Sequence, residues 1–332
     1  MHRREVVLVT PALAAANNGN WQTAQRWARL LAPAYRVTLT DRADAAMCSR
    51  ADALVALHAR RSAESIRSWR EQQPQRPLVV VLTGTDLYRD IGFDADAQRS
   101  LAWADRLVVL NAHGARALPA ALQPRTRVVL QSCSARQPVA KPSQRLRALM
   151  VGHLRDEKDP RCYWRAAERL RGRHDLHFDH IGAALTPELG SDAMALAARH
   201  PHFRWLGGLG HDATRRRIQH SHVLVHPSRM EGGAHAVLEA LRSGTAVLAS
   251  AIDGNTGLLG DAHPGLFAPG DDAALAALLE RCRDDPTMLP ALRAAGDCRA
   301  PLFTPQAEAA ALHALLGELL AGTPQAESGD PR

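Results

Sequence analysis

A chain of 332 residues with 46% hydrophobic content is long enough for two domains, each with a core of its own. The net charge is +7 with histidine neutral, yet the basic residues are mostly arginines scattered along the chain, with short clusters at Arg60-Arg61 and Arg215-Arg216-Arg217. That pattern excludes a basic tail or amphipathic anchor, so no nucleic acid and no membrane partner is expected, and a small anionic ligand remains. The five cysteines are odd in number, far apart and never in a C-x-x-C pair, which excludes a disulfide framework and a structural metal.

Glu5 to Thr10 (EVVLVT) reads as a compact apolar strand, beginning too early in the chain to leave room for a signal peptide. Pro11 to Asn20 is a loop ending in Asn17-Asn18-Gly19-Asn20, after which Trp21, Ala24, Trp27, Ala28 and Leu31 fall on one helical face. Further apolar runs at Tyr35 to Thr40, Ala53 to Leu57, Leu78 to Leu82, Leu107 to Leu110 and Thr126 to Leu130 alternate with helical patterns or turn signals. Strands that are apolar throughout indicate a parallel sheet covered on both faces, hence a doubly wound α/β domain.

Between Ser134 and Ser143 the chain turns polar, carries Pro138 and Pro142, and is the expected linker; domains are placed at 1–140 and 141–303. The pattern restarts with strands at Arg147 to Val151, His177 to Ile181, Phe203 to Leu206, Val223 to His226 and Ala246 to Ala249, with helices between them. Pro305 to Leu320 is a last amphipathic helix, placed at 304–321 and expected to pack back toward the N-terminal domain; Thr323 to Arg332 reads as a disordered tail. No apolar run reaches 18 residues, so the protein is expected to be cytoplasmic, with self-association left open.

Each polar glycine loop follows one of these strands, where an open α/β sheet binds ligands. The richest is Val223 to Ala240, VLVHPSRMEGGAHAVLEA, a strand, a loop and a helix start whose Gly232, Gly233, Ala234 and His235 amides lack intrahelical partners and favour a phosphate. Glu231 and Glu239 flank that start. Gly152-His153-Leu154-Arg155 with Lys158 closes the strand that opens the second domain, where the two cations suit a diphosphate, although Asp156 and Glu157 could simply neutralise them. Asp94-Ala95-Asp96 has a metal-binding spelling but opens a helical pattern, where carboxylates meet the helix dipole. There is no H-E-x-x-H, G-x-S-x-G or G-x-G-x-x-G after the first strand, which argues against zinc-protease, serine-hydrolase and nicotinamide chemistry.

On Gly19, Gly84-Thr85-Asp86, VGHLRDEKDP and the Glu231/Glu239 pair, the chain resembles a GT-B glycosyltransferase of the GT4-like kind over essentially its whole length. The resemblance implies two Rossmann-like domains facing an interdomain cleft, with the nucleotide-sugar on the C-terminal one. It assigns Arg155 and Lys158 to the diphosphate, Glu231 to the donor sugar and Glu239 to the ribose hydroxyls; Glu231, Lys158 and Arg155 are then the catalytic set. Gly152 and the amides of Gly232, Gly233, Ala234 and His235 complete the phosphate cradle, with uracil near Gly182 and Gly207.

Within that group, VTPALAAANNGNWQTAQRWARLL, LHARRSAESI and VLTGTDLYRDI are more similar to the selenosugar synthases of selenoneine biosynthesis. Those enzymes join selenophosphate to a UDP-sugar, typically UDP-N-acetylglucosamine. Asn17, Asn18, Gly19, Asn20, Thr23, Arg60 and Thr85 are the expected donors to the acceptor's phosphate. Two alternatives stand beside this: a hydroxyl acceptor with His58 or Asp86 as base, or a UDP-sugar 2-epimerase on the same scaffold. No cofactor and no metal is expected in any of them.

Overall fold

The computed structural model describes residues 3–13 and 19–321. The chain divides into two units, one formed by residues 1–131 with 305–332 and the other by residues 132–304. The division falls at Gln131–Ser132, ahead of the Pro138/Pro142 stretch that composition marks as the linker. That stretch packs instead within the second unit, where the Arg136 amide donates to the Arg242 carbonyl and the Pro142 carbonyl meets His222 Nε2 at 3.0 Å. Proline removes ladder donors, so the segment docks without becoming a strand.

The first unit holds a six-stranded parallel sheet of β1 (Glu5–Val9), β2 (Arg36–Thr40), β3 (Ala53–Leu57), β4 (Leu78–Leu82), β5 (Arg106–Val109) and β6 (Thr126–Val128), in the order β2-β1-β3-β4-β5-β6. Successive side chains go to opposite faces. Leu54 and Ala56 join Ile66 and Trp69 on one side, while Ala53, Val55 and Leu57 join Trp27, Leu312 and Leu316 on the other. Both faces are therefore covered, which is why these strands read as unbroken apolar runs.

The helix Pro305–Leu320 completes this unit. Its Glu308, 1% exposed, accepts from Trp27 Nε1 at 2.7 Å and from Arg26 at 2.8 and 3.1 Å on the helix Gly19–Leu31. A carboxylate buried this deeply is tolerable because it is paired and hydrogen-bonded.

The second unit repeats the plan with β7 (Leu146–Val151), β8 (Leu176–Ile181), β9 (Phe203–Trp205), β10 (Val223–His226), β11 (Ala246–Ser250) and β12 (Leu266–Phe267), all parallel in the order β12-β11-β10-β7-β8-β9. The chain runs outward from β7 to β9, then returns to lay β10 against the free side of β7. The strand order reverses between those two neighbours, and loops leaving them diverge to open a crevice at their carboxyl ends.

Candidate functional site

Lys158 follows β7 and Glu231 follows β10, and the two side chains meet as an ion pair at that reversal. Lys158 lies in a single 3-10 turn, Asp156–Lys158, that precedes the helix Pro160–Arg169. The Asp159 cap between them takes φ +44 and accepts from the Cys162 amide, turning the chain sharply enough to send Lys158 inward. Gly152 gives its stem room: a Cβ there would come within 3.3 Å of Lys158 Cδ.

Glu231 is 7% exposed and is held by three groups through the same oxygen. Besides Lys158, Ser228 Oγ donates to Oε1 at 2.8 Å and His226 Nε2 lies 3.2 Å from it. Burial alone would push this carboxyl up, but the Lys158 ammonium and the His226 contact hold it well below the usual carboxylate range. Burial also lowers His226, against the pull of Glu231, which favours a neutral ring donating from Nε2. The loop's backbone is fixed from beneath: Ser250 Oγ donates to the Ser228 carbonyl, Asn255 Nδ2 donates to Ser250 at 3.0 Å, and Gly254 lies so close that a Cβ would fall 2.1 Å from the Glu231 carbonyl oxygen.

Arg155 is partly exposed on the same loop as Lys158, and its guanidinium has no ion pair or side-chain hydrogen bond among the described residues. The Gly233 and Ala234 amides likewise carry no partner among the described residues, ahead of the short helix His235–Leu241. Two cations after β7 and two free amides after β10 thus stand in the loops at the strand-order reversal, groups whose chemistry suits a dianion.

One turn into that helix, Glu239 is buried and shares one oxygen among three groups. His211 Nε2 lies at 2.7 Å, His235 Nδ1 at 3.4 Å and Arg215 Nε at 3.8 Å. Burial raises its pKa, and the His211 and His235 contacts outweigh that to hold it at about 2. The ligand atoms of His211, His235 and Glu239 lie within 4.8 Å of one another, a donor set suited to a divalent transition ion, although the Arg215 guanidinium opposes a second cation there.

Gly182, expected near the base, packs closely against the backbone of the neighbouring loops. A Cβ there would fall 1.9 Å from the Gly152 carbonyl oxygen, and its own amide donates to the Gly207 carbonyl at 2.8 Å. It is the close-approach point that lets the loops after β7, β8 and β9 lie side by side. Gly207, at φ +64 with open space around it, faces no such crowding.

In the first unit, His58 follows β3 at φ +72 and is 2% exposed. The Arg61 amide donates to its Nδ1 at 3.3 Å, so the proton sits on Nε2, which contacts Thr85 Oγ1 at 3.1 Å. Asp86 is fully buried, and both its oxygens are engaged by backbone amides: Oδ1 by Thr83 and Gly84, each at 2.9 Å, and Oδ2 by Ala59 at 3.0 Å. Arg60 Nε lies 2.9 Å from Asp90, a buried carboxylate also held by Arg89 at 3.0 Å, and its side chain is 39% exposed. Thr23 donates to the Gly19 carbonyl at 2.8 Å and accepts from Gln131 at 2.6 Å, so its hydroxyl is occupied inside the unit. Gly19 and Asn20 open the first helix, while Asn17 and Asn18 lie outside the described residues.

Asp94 accepts from the Ala97 amide at 2.9 Å as a helix cap, and Asp96 pairs with Arg99. All five thiols are free. No helix among the described residues is long and apolar enough to cross a membrane.

Residues 133–297, nearly all of the second unit, match the family described as glycosyl transferases group 1. The second unit is a group 1 glycosyltransferase domain. Sucrose-phosphate synthase of Thermosynechococcus elongatus superposes on 97% of this chain and 100% of its own with a TM-score of 0.78 at 17% identity. HepE of Anabaena, solved in complex with UDP and glucose, covers 96% of this chain and 100% of its own with a TM-score of 0.73 at 16% identity. At that identity the likeness speaks for the fold, which is GT-B. No curated protein sequence matches the chain.

Sequence reasoning did not single out His211, Arg215, Ser228, Gly254 or Asp90. His211 stands 28 residues before Glu239, and only the fold brings them together. Gly254 alone left a trace, as a glycine inside a segment that otherwise forms the helix Asp253–Leu259.

Proposed function

We propose that this glycosyltransferase takes a sugar, N-acetylglucosamine, from its UDP-sugar and transfers it to the selenium of selenophosphate with release of UDP, and that water then cleaves the Se–P bond to give phosphate and a 1-selenosugar for selenoneine biosynthesis. The donor half rests on the meeting of Lys158 and Glu231 at the strand-order reversal, in a fold shared with a protein solved with UDP and glucose. Breaking the anomeric C–O bond builds negative charge on the leaving UDP. Lys158, Arg155 and the amides of Gly233 and Ala234 would receive it, while Glu231 positions Lys158 and faces the donor sugar. Glu239, kept ionised by His211 and His235, accepts from the ribose hydroxyls. No divalent metal is invoked, because the two cations neutralise the diphosphate; full turnover after exhaustive chelation is the expected result.

The observation that carries the acceptor half is the state of the expected bases. A hydroxyl acceptor calls for a free lone pair on a positioned base. Asp86 is tied to the loops around it by three backbone amides, and His58 accepts the Arg61 amide with one nitrogen and carries its proton on the other. Burial further lowers the His58 pKa, against the pull of Asp86. Selenophosphate is already anionic and asks only for placement, to which the Thr85 hydroxyl, 3.1 Å from His58 Nε2, would contribute.

Mass spectrometry of products formed from UDP-N-acetylglucosamine, with and without selenophosphate, tests this. The expected outcome is a selenium isotope pattern on a hexosamine, with UDP released only when selenophosphate is present. Turnover of the sugar nucleotide alone would mark an epimerase, and transfer to a saccharide or lipid hydroxyl would replace the acceptor.

A further inference from the structure

The chain contains only two lysines among its 41 basic residues. One is Lys158 of the donor site. The other, Lys141, stands at the opposite end of the same strands. Lys141 precedes β7 and His222 precedes β10, so their location is the amino edge of the sheet. β7 alone separates it from the donor loops by roughly 20 Å, at about 3.3 Å per residue.

A cavity of about 400 Å³ opens there, walled by the segment 139–143, the amino ends of β7 and β10, and two helices, Asp272–Asp284 and Met288–Arg299. Its charge is one-sided. Lys141, Arg145 and Arg293 line it without a carboxylate partner among the described residues, and Arg293 Nε is buried with no hydrogen bond. Lys141 reaches only the Thr245 hydroxyl, at 3.4 Å. Arg283, also in the wall, is already matched by Asp175 at 2.7 Å.

The single acidic residue in the lining does not answer these cations. Asp285 spends one oxygen on the Thr287 amide and hydroxyl, at 2.8 and 2.6 Å, and the other faces Arg281 at 3.8 Å. Leu289 adds the first turn of the twelve-residue helix Met288–Arg299, whose Thr287 cap supplies no side-chain acceptor, so the positive end of that helix reaches the cavity. His222 is not part of the charge: it accepts from the Arg147 amide and meets the Pro142 carbonyl at 3.0 Å, and burial lowers it to about 4. It ties the 139–143 segment to the sheet and so gives the cavity a fixed wall.

Uncompensated cations crowded around a cavity repel one another unless an anion enters. We propose that this cavity is a second ligand site, separate from the donor site, for a phosphorylated small molecule whose phosphate is held by Lys141, Arg145 and Arg293 and whose compact body rests on Leu146, Leu289 and Pro142. The same crowding shows in Lys141, which burial and the Arg293 charge lower to about 8, leaving an amine reactive near neutral pH.

Pyridoxal 5′-phosphate is a suitable probe, because it pairs a phosphate and a compact ring with an aldehyde that condenses with an unprotonated amine. Borohydride reduction and peptide mapping then distinguish Lys141 from Lys158 without ambiguity, as no third lysine exists. With the donor site blocked by excess UDP, Lys141 is expected to be labelled, and inorganic pyrophosphate is expected to protect it. In parallel, calorimetric titration of pyrophosphate into the UDP-saturated protein should show one site. The Lys141→Met/Arg293→Met double variant, checked for an unchanged circular dichroism spectrum, should weaken that site at least about tenfold. The Lys158→Ala variant should retain it even without UDP, which separates this site from the donor assignment. Labelling of Lys141 that pyrophosphate does not slow, or pyrophosphate binding unchanged in the double variant, would overturn the proposal.

Discussion

Each unit ends a buried strand in a loop that holds a buried carboxylate, and the two carboxylates have opposite uses. Asp86, after β4, is satisfied by the backbone amides of Ala59, Thr83 and Gly84. Glu231, after β10, is satisfied by side chains, above all the Lys158 ammonium. Amides of neighbouring loops fix a shape. An ammonium held by one carboxylate oxygen is placed rather than consumed, since it keeps further N–H donors for an incoming anion. A buried carboxylate after a strand therefore builds a scaffold in one unit and an electrostatic site in the other.

The widest separation of these roles is expected at Lys158. Lys158→Ala should lower turnover by 10²–10³, about 3–4 kcal/mol of transition-state stabilisation, with the circular dichroism spectrum unchanged. Wild-type turnover in steady-state assays would move Lys158 to the scaffold side.

Asp86→Asn should behave in the opposite manner. One acceptor oxygen becomes a donor facing backbone N–H groups, costing about 2–3 kcal/mol in chemical denaturation, while KM for the UDP-sugar stays unchanged. A variant as stable as the wild type would remove the distinction.

Glu239 sharpens the electrostatic side through pH. Its folded pKa of about 2 lies below the ordinary 4.5, so its contribution to stability is complete above pH 4.5 and is lost as pH falls through 2. Between pH 7 and 3 the wild type should lose about 2 kcal/mol more than Glu239→Gln in urea melts. Equal losses would show that the His211 and His235 contacts do not hold the carboxylate ionised. The smallest effect is expected on binding: Glu239→Gln should raise KM for the UDP-sugar about tenfold, near 1.4 kcal/mol, with kcat little altered.

Much of the fold was legible because both sheets are covered on two faces. β3 and β4 run from Ala53 to Leu57 and Leu78 to Leu82, as their apolar runs predict, since a strand buried on both sides has no polar residue to blur its ends. β12 was not legible: Leu266–Phe267 is two residues long, too short for any period to register. At the site, Lys158 and Glu231 could be nominated from their loops, but their contact could not, because 73 residues separate them. The same limit hid His211 and Asp90. Thr23 shows a further one: sequence marks a polar group near a strand end but not whether the protein itself has already engaged it.

The helix Pro305–Leu320 gives the chain an uneven order of assembly. The second unit is one continuous segment, 132–304, whereas the first borrows its closing helix from the far end of the chain. Until residues 305–320 leave the ribosome, Trp27 and Arg26 lack the Glu308 carboxylate, and Leu312 and Leu316 are missing from the core that holds Val55 and Leu57. Nascent chains stop short of that point for seconds at ordinary elongation rates. The later-encoded unit can therefore mature before the earlier one, so a stop codon near residue 304 would spare the second unit's fold and leave the first unit open to proteolysis.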